Sequence, residues 1–113
     1  MRRSRSTAVA VRHCAPTFAA LGDTTRLQLV AQLCKAGPLS ITQLAADSHV
    51  SRQAVTKHLR VLADAGLVAG EREGREVLWT IEPNALARAR DHLETIATSW
   101  DSTLARLKRL VEE

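Results

Sequence analysis

Between Ser51 and Val68 the chain reads SRQAVTKHLRVLADAGLV, and its first ten residues hold Arg52, Lys57, His58 and Arg60, four groups able to carry positive charge. Ser51, Gln53 and Thr56 stand among them, and no acid occurs from Ser48 to Leu62. These side chains suit one kind of chemistry. Arginine donates a bidentate pair to an acceptor edge such as guanine O6 and N7, and glutamine matches adenine N6 and N7. Threonine offers its methyl to thymine, and lysine reaches guanine or a phosphate. A serine at a helix start presents its hydroxyl or backbone amide to a phosphate.

That chemistry needs a rigid element to carry it. Val55, Leu59 and Leu62 recur at helical spacing on one side of this stretch, leaving Gln53, Thr56, Lys57 and Arg60 on the other and His58 at the border. A solvated helix face without a partner would show the same charges, so the neighbouring segments decide. Ser40-Ile41-Thr42-Gln43 is a capping box. The short helix it opens has Ile41, Leu44 and Ala45 as its apolar face. His49-Val50-Ser51 is then a brief turn, with Ser51 capping the charged helix. Two helices joined this way form a helix-turn-helix. In that motif the start of the second helix enters the major groove, which places Arg52, Gln53, Thr56 and Lys57 at base edges and Arg60 nearer phosphate.

Upstream, Asp23 is an N-cap for a helix patterned on Leu27, Val30, Ala31 and Leu33, which stops at Ala36-Gly37-Pro38. Phe18 and Leu21 belong to a shorter first helix. Downstream, LVAGEREGREVLWTI reads as two strands around Glu73-Gly74-Arg75, with Val77, Trp79 and Ile81 alternating onto one face. A hairpin directly after a helix-turn-helix is a wing. Arg72 and Arg75 at its tip suit a minor groove or a phosphate, although Glu71, Glu73 and Glu76 stand beside them.

Pro83-Asn84 opens a long last helix. Leu86, Leu93, Trp100 and Leu107 recur every seven residues along it, with Ile96, Leu104, Leu110 and Val111 in adjoining positions. Such a seam wants a partner helix, most simply from a second copy of the chain. The expected fold is therefore mainly α with a small β-hairpin: a winged helix-turn-helix with a long C-terminal dimerisation helix. Residues 1–12 read as a basic, solvated arm, residues 13–113 as the domain, and residues 83–113 as its dimerisation helix.

Composition agrees and excludes alternatives. The 113 residues make one domain, 45% hydrophobic, whose core must be aliphatic because only Phe18, Trp79 and Trp100 are aromatic. The formal net charge of +4 is concentrated in residues 1–12 and 24–63, while residues 64–113 carry a net negative charge. Localised positive charge favours a polyanion such as double-stranded DNA. No apolar run is long enough to span a membrane. No glycine-rich phosphate loop, carboxylate pair or His–Cys arrangement suggests an enzyme, and no cofactor is expected. The remaining rival is a winged-helix interaction module whose basic helix holds an acidic protein partner.

The segments FAALGDTTRLQLVAQL, GPLSITQLA, SRQAVTKHLRVLADAGLV and REGREVLWTI resemble, in order and spacing, the arsenic-repressor (ArsR) family of bacterial winged-helix regulators. The likeness spans Phe18 to Ile81. It implies a cytoplasmic bacterial homodimer that sits on an operator and represses it until a signal, a small molecule or a redox change, releases it. It implies DNA contacts from Ser51, Arg52, Gln53, Thr56, Lys57 and Arg60, with wing Arg72 and Arg75. The terminal helix would be the dimer element, through Leu86, Leu93, Ile96, Trp100, Leu104 and Leu107. Metal-sensing members carry Cys-x-Cys on the third helix, where this chain has Ser40 and Thr42. Hydroxyls are poor ligands for soft metals, so no metal is expected there. Asp91 and His92 are adjacent, on different faces, and no later histidine completes a second pattern.

Cys14 and Cys34 are the only thiols, too few for a disulfide framework. One reading makes them a sensor, paired as a disulfide or grouped with His13 around a metal. The simpler reading makes Cys34 a small core residue and Cys14 a surface thiol. Trp79 and Trp100 read as packing residues, Trp100 with the option of lining a ligand pocket.

Overall fold

A capped helix, a turn and a second capped helix form the centre of the molecule. The computed structural model describes the backbone of residues 2–112 and the side chains of residues 8–112. Its elements in chain order are α1 (Arg2–Leu21), α2 (Thr24–Ala36), α3 (Ile41–Ala46), α4 (Arg52–Asp64), β1 (Val68–Glu73), β2 (Glu76–Ile81) and α5 (Pro83–Glu112). Each helix start foreseen from a cap is present. Asp23 accepts from the Arg26 amide at 3.0 Å, and Ser51 Oγ accepts from the Ala54 amide at 3.1 Å. Both halves of the capping box close: the Gln43 amide donates to Ser40 Oγ at 3.2 Å and the Ser40 amide to Gln43 Oε1 at 2.9 Å.

The core is aliphatic. Leu29, Leu44, Val55, Leu59, Leu62 and Leu67 are its fully buried members, drawn from α2, α3, α4 and the approach to β1. Burying each such side chain contributes on the order of 1.5–3 kcal/mol. On α2 the inward set is Leu29, Val30 and Leu33 rather than the predicted Leu27, Val30, Ala31 and Leu33. Leu27 is 53% exposed and Ala31 also faces out. The apolar stripe there is wider than the part that α1, α4 and β2 cover, and coverage decides burial.

The hairpin pairs Val68 with Ile81 through Glu73 with Glu76, and Gly74, at a φ of 64°, supplies the positive φ its two-residue turn needs. Trp79 lies opposite Gly70, where a Cβ would come within 3.2 Å of the indole Cη2 and 3.0 Å of Val77 Cγ1. A side chain there would press on the ring, which would have to give by a few tenths of an ångström. The backbone of Leu39 adds a bridge to this strand, exchanging hydrogen bonds with Trp79 at 2.8 and 3.1 Å. Val77, predicted to face inward with Trp79 and Ile81, is 38% exposed, because the hairpin runs out past the helical core towards its tip.

The first helix is longer than predicted and takes in most of the segment read as a basic arm. Residues 2–12 contain no glycine or proline and include several alanines and arginines, good helix formers. The helix continues through Pro16, whose missing amide leaves the Arg12 carbonyl without its usual partner. Its inner face is Cys14, Thr17 and Ala20, all buried. This face meets α5, where Ala85 and Ala89 are the buried residues. The small side chains allow close approach: Cys14 Sγ lies 3.8 Å from the Arg88 carbonyl, and the Phe18 and His92 rings are 6.2 Å apart. The radius of gyration is 18.3 Å, against about 13 Å for a compact domain of this length. Long helices reaching beyond the core account for the excess.

Candidate nucleic-acid interface

The inner face of α4 is closed. Val55, Leu59 and Leu62 are each 0% exposed, so the helix cannot rotate its other face inward without opening the core. Arg52, Gln53, Lys57 and Arg60 are all exposed on the open side, with Ser51 at the helix start. Among the described residues the ion pairs are Arg90–Asp91 and Lys108–Glu112, and Asp23 approaches only the His58 imidazole, so the cations of α4 facing solvent have no carboxylate partner. Their charge is directed outward, where it raises the local concentration of a polyanion. Thr56 is half-buried and its Oγ1 donates to the Arg52 carbonyl at 2.8 Å. With its proton used, the side chain can still accept a hydrogen bond and can still present its methyl.

Behind this face lies a polar cluster that sequence reading did not find. Arg26, in the first turn of α2, donates from Nε to the Ala20 carbonyl at 2.6 Å, and its Nη1 lies 3.4 Å from His58 Nδ1. Asp23 Oδ2 is 3.9 Å from the same ring nitrogen. The Asp23 carboxyl is held below its ordinary value, chiefly by the hydrogen bond from the Arg26 amide, with the Arg26 charge adding. A depressed carboxylate stabilises the fold above its unfolded pKa and stops doing so only as pH falls through the folded value. The cap therefore holds at neutral pH. Helical spacing puts His58 at the border of the helix face, but a partner 32 residues away leaves no local signal.

On the wing, Arg72 and Arg75 are exposed, as are Glu71, Glu73 and Glu76. The base of the wing packs on α4, since β1 begins with buried Val68 immediately after buried Leu67.

The profile of the family described as "Bacterial regulatory protein, arsR family" matches residues 23–69, from the cap of α2 to the base of the wing. The chain is 37% identical over 93 residues to the HTH-type transcriptional regulator Rv2034 of Mycobacterium tuberculosis, covering 82% of this chain and 83% of that protein. The chain belongs to the arsR family of bacterial regulatory proteins. It is also 37% identical over 82 residues to the regulator NmtR of the same organism, covering 73% of this chain and 68% of the relative. An ArsR-like transcriptional regulator from Rhodococcus sp. RHA1 superposes with a TM-score of 0.74 at 37% identity, covering 88% of this chain and 92% of that one.

In this arsR-family chain the predicted dimer residues fall into two groups. Leu86 is half-buried against its own core, whereas Leu93, Ile96, Trp100, Leu104 and Leu107 are all exposed, Trp100 by 63%. An open hollow of about 910 Å³ lies between α1 and α5, with Cys14, His13, His92 and Trp100 in its lining. The two thiols take opposite places from the simpler sequence reading. Cys14 is buried and Cys34 exposed, because Cys14 falls on the covered face of α1 while Cys34 falls on the uncovered side of α2. They are not bonded to each other and line different hollows, Cys34 one of about 710 Å³ beside Pro83 and Arg90. Among the described residues no group of three His, Cys, Asp or Glu is placed to hold a metal, and no helix is long and apolar enough to cross a membrane.

Proposed function

We propose that this chain is a homodimeric transcriptional repressor that binds a double-stranded DNA operator in the bacterial cytoplasm and is released by a signal. The carrying observation is α4: an inner face with no exposure, and an outer face of Arg52, Gln53, Lys57 and Arg60 with no carboxylate partner among the described residues. Arg52, Gln53, Thr56 and Lys57 read bases, while Ser51, Arg60 and the wing arginines Arg72 and Arg75 hold the backbone. Two copies joined through α5 present two such helices to successive turns of the duplex. Leu93, Ile96, Trp100, Leu104 and Leu107 form the joint. The regulator performs no chemistry of its own.

Footprinting over the chain's own upstream region tests this. The expected result is protection of two half-sites about one helical turn apart. Affinity should exceed that for scrambled duplex, with log affinity falling against log salt at about 0.9 per phosphate neutralised. Binding to an acidic protein would share the salt dependence without any preference among DNA sequences. Equal affinity for the protected and scrambled duplexes would overturn the proposal.

A further inference from the structure

Burial of Val55, Leu59 and Leu62 holds α4 against the core, but apolar burial is non-directional and tolerates small rolls of the helix. Base reading does not. Something directional must set the angle, and among the described residues the single hydrogen-bonding contact of a side chain between α4 and the preceding helices α1 and α2 is Arg26 Nη1 to His58 Nδ1 at 3.4 Å.

Arg26 reaches three elements at once. Its Nε bond to the Ala20 carbonyl, 2.6 Å long, occupies an acceptor in the last turn of α1 that has no amide of its own helix to accept from. Its backbone amide is fixed by Asp23 at 3.0 Å. A guanidinium only donates, so the His58 contact requires an unprotonated Nδ1, with the ring hydrogen on Nε2. Asp23 Oδ2, 3.9 Å from the same nitrogen, is the other charged group facing the ring. His58 stands between buried Leu59 and exposed Lys57, at the rim of the reading face. We infer that Arg26 is a positioning residue for operator recognition, which acts through His58 to fix the roll of α4 relative to α1. Because α1 packs along α5, the same clasp sets the angle of the reading face against the dimer scaffold. This role rests on the DNA-reading function proposed above.

The test compares affinity for the footprinted operator with affinity for scrambled duplex, using the full chain and its Arg26→Gln, His58→Gln and His58→Leu variants. The double variant Arg26→Gln/His58→Leu completes the set. Arg26→Gln and His58→Leu should each weaken operator binding by about tenfold or more, while scrambled-duplex affinity moves less than about threefold, since the cations of α4 remain. His58→Gln keeps an acceptor and should restore most of the preference. The double variant should lose no more than either single change, as expected for partners in one contact. The clasp is refuted if operator and scrambled affinities fall together, if neither moves, if His58→Gln fails as badly as His58→Leu, or if the two losses add. Should Arg26→Gln not fold, the two His58 variants decide alone. A wild-type chain with no preference for its operator would remove the DNA-reading function and this inference with it; a wild-type preference that the variants leave intact removes only the inference.

Discussion

Helices α4 and α5 are both amphipathic, yet only one is complete within a single chain. Val55, Leu59 and Leu62 of α4 are fully buried, and its cationic face is left bare. On α5 the buried residues are Ala85 and Ala89, near its start, and the large side chains further along lie in the open. The first helix has spent its apolar face on its own core, so its bare cations are free for an external polyanion. The second has an apolar face that its own chain does not cover. On the proposed function, folding and assembly depend on different helices, and variants in the two should fail in different ways.

The largest effect should come from the open seam. Trp100→Glu with Leu104→Glu places two charges in the proposed joint, and neither residue belongs to the core of one chain. The variant should stay helical by circular dichroism and sediment as a monomer. A monomer engages one half-site without the gain from linkage, so operator affinity should drop by about 10²-fold or more. A variant that still sediments as a dimer would move the joint away from this part of α5.

Leu59→Ala should fail in the other way. It empties space in a closed core and should lower stability by about 2–5 kcal/mol, read from the denaturant midpoint. With a domain of this size stable by about 5–15 kcal/mol, most molecules would still be folded and still dimerise at moderate temperature. A loss of dimerisation at full stability would contradict the division between the two helices.

The same contrast explains what was legible in the sequence. The caps at Asp23, Ser40 and Ser51 were readable because a cap is decided within four residues. The buried face of α4 was readable because Val55, Leu59 and Leu62 recur at helical spacing with Thr56, Lys57, His58 and Arg60 set between them. Apart from the length of α1, the misreadings are questions of coverage. Leu27 and Ala31 fit the period of α2 as well as Leu29 does, and only the placement of α1, α4 and β2 tells them apart. The exchange of Cys14 and Cys34 has the same origin, since the sequence does not say which of the two helix faces is covered. Val77 continues the alternation of its strand past the point where there is a core to face. The Leu39–Trp79 bridge and the Arg26–His58 contact join residues far apart in the chain, and neither has a local pattern.

The smallest effects should separate the reading helix from the wing. Lys57→Ala removes a cation with no carboxylate partner among the described residues from the exposed face of α4, and should cost about 1–3 kcal/mol at the operator. If Lys57 touches a base, the loss falls on the operator and spares scrambled duplex. If it holds a phosphate, both affinities fall alike and the salt slope shrinks by about 1. Arg75→Ala removes a cation between Gly74 and Glu76, with Glu73 on the opposing strand of the hairpin. Those carboxylates weaken the potential a phosphate would meet, so the loss should stay under about 1 kcal/mol and fade above about 0.3 M salt, where screening shortens to several Å. An Arg75→Ala loss as large as that of Lys57→Ala would mean that the wing arginine enters the groove itself, with its acidic neighbours turned towards solvent.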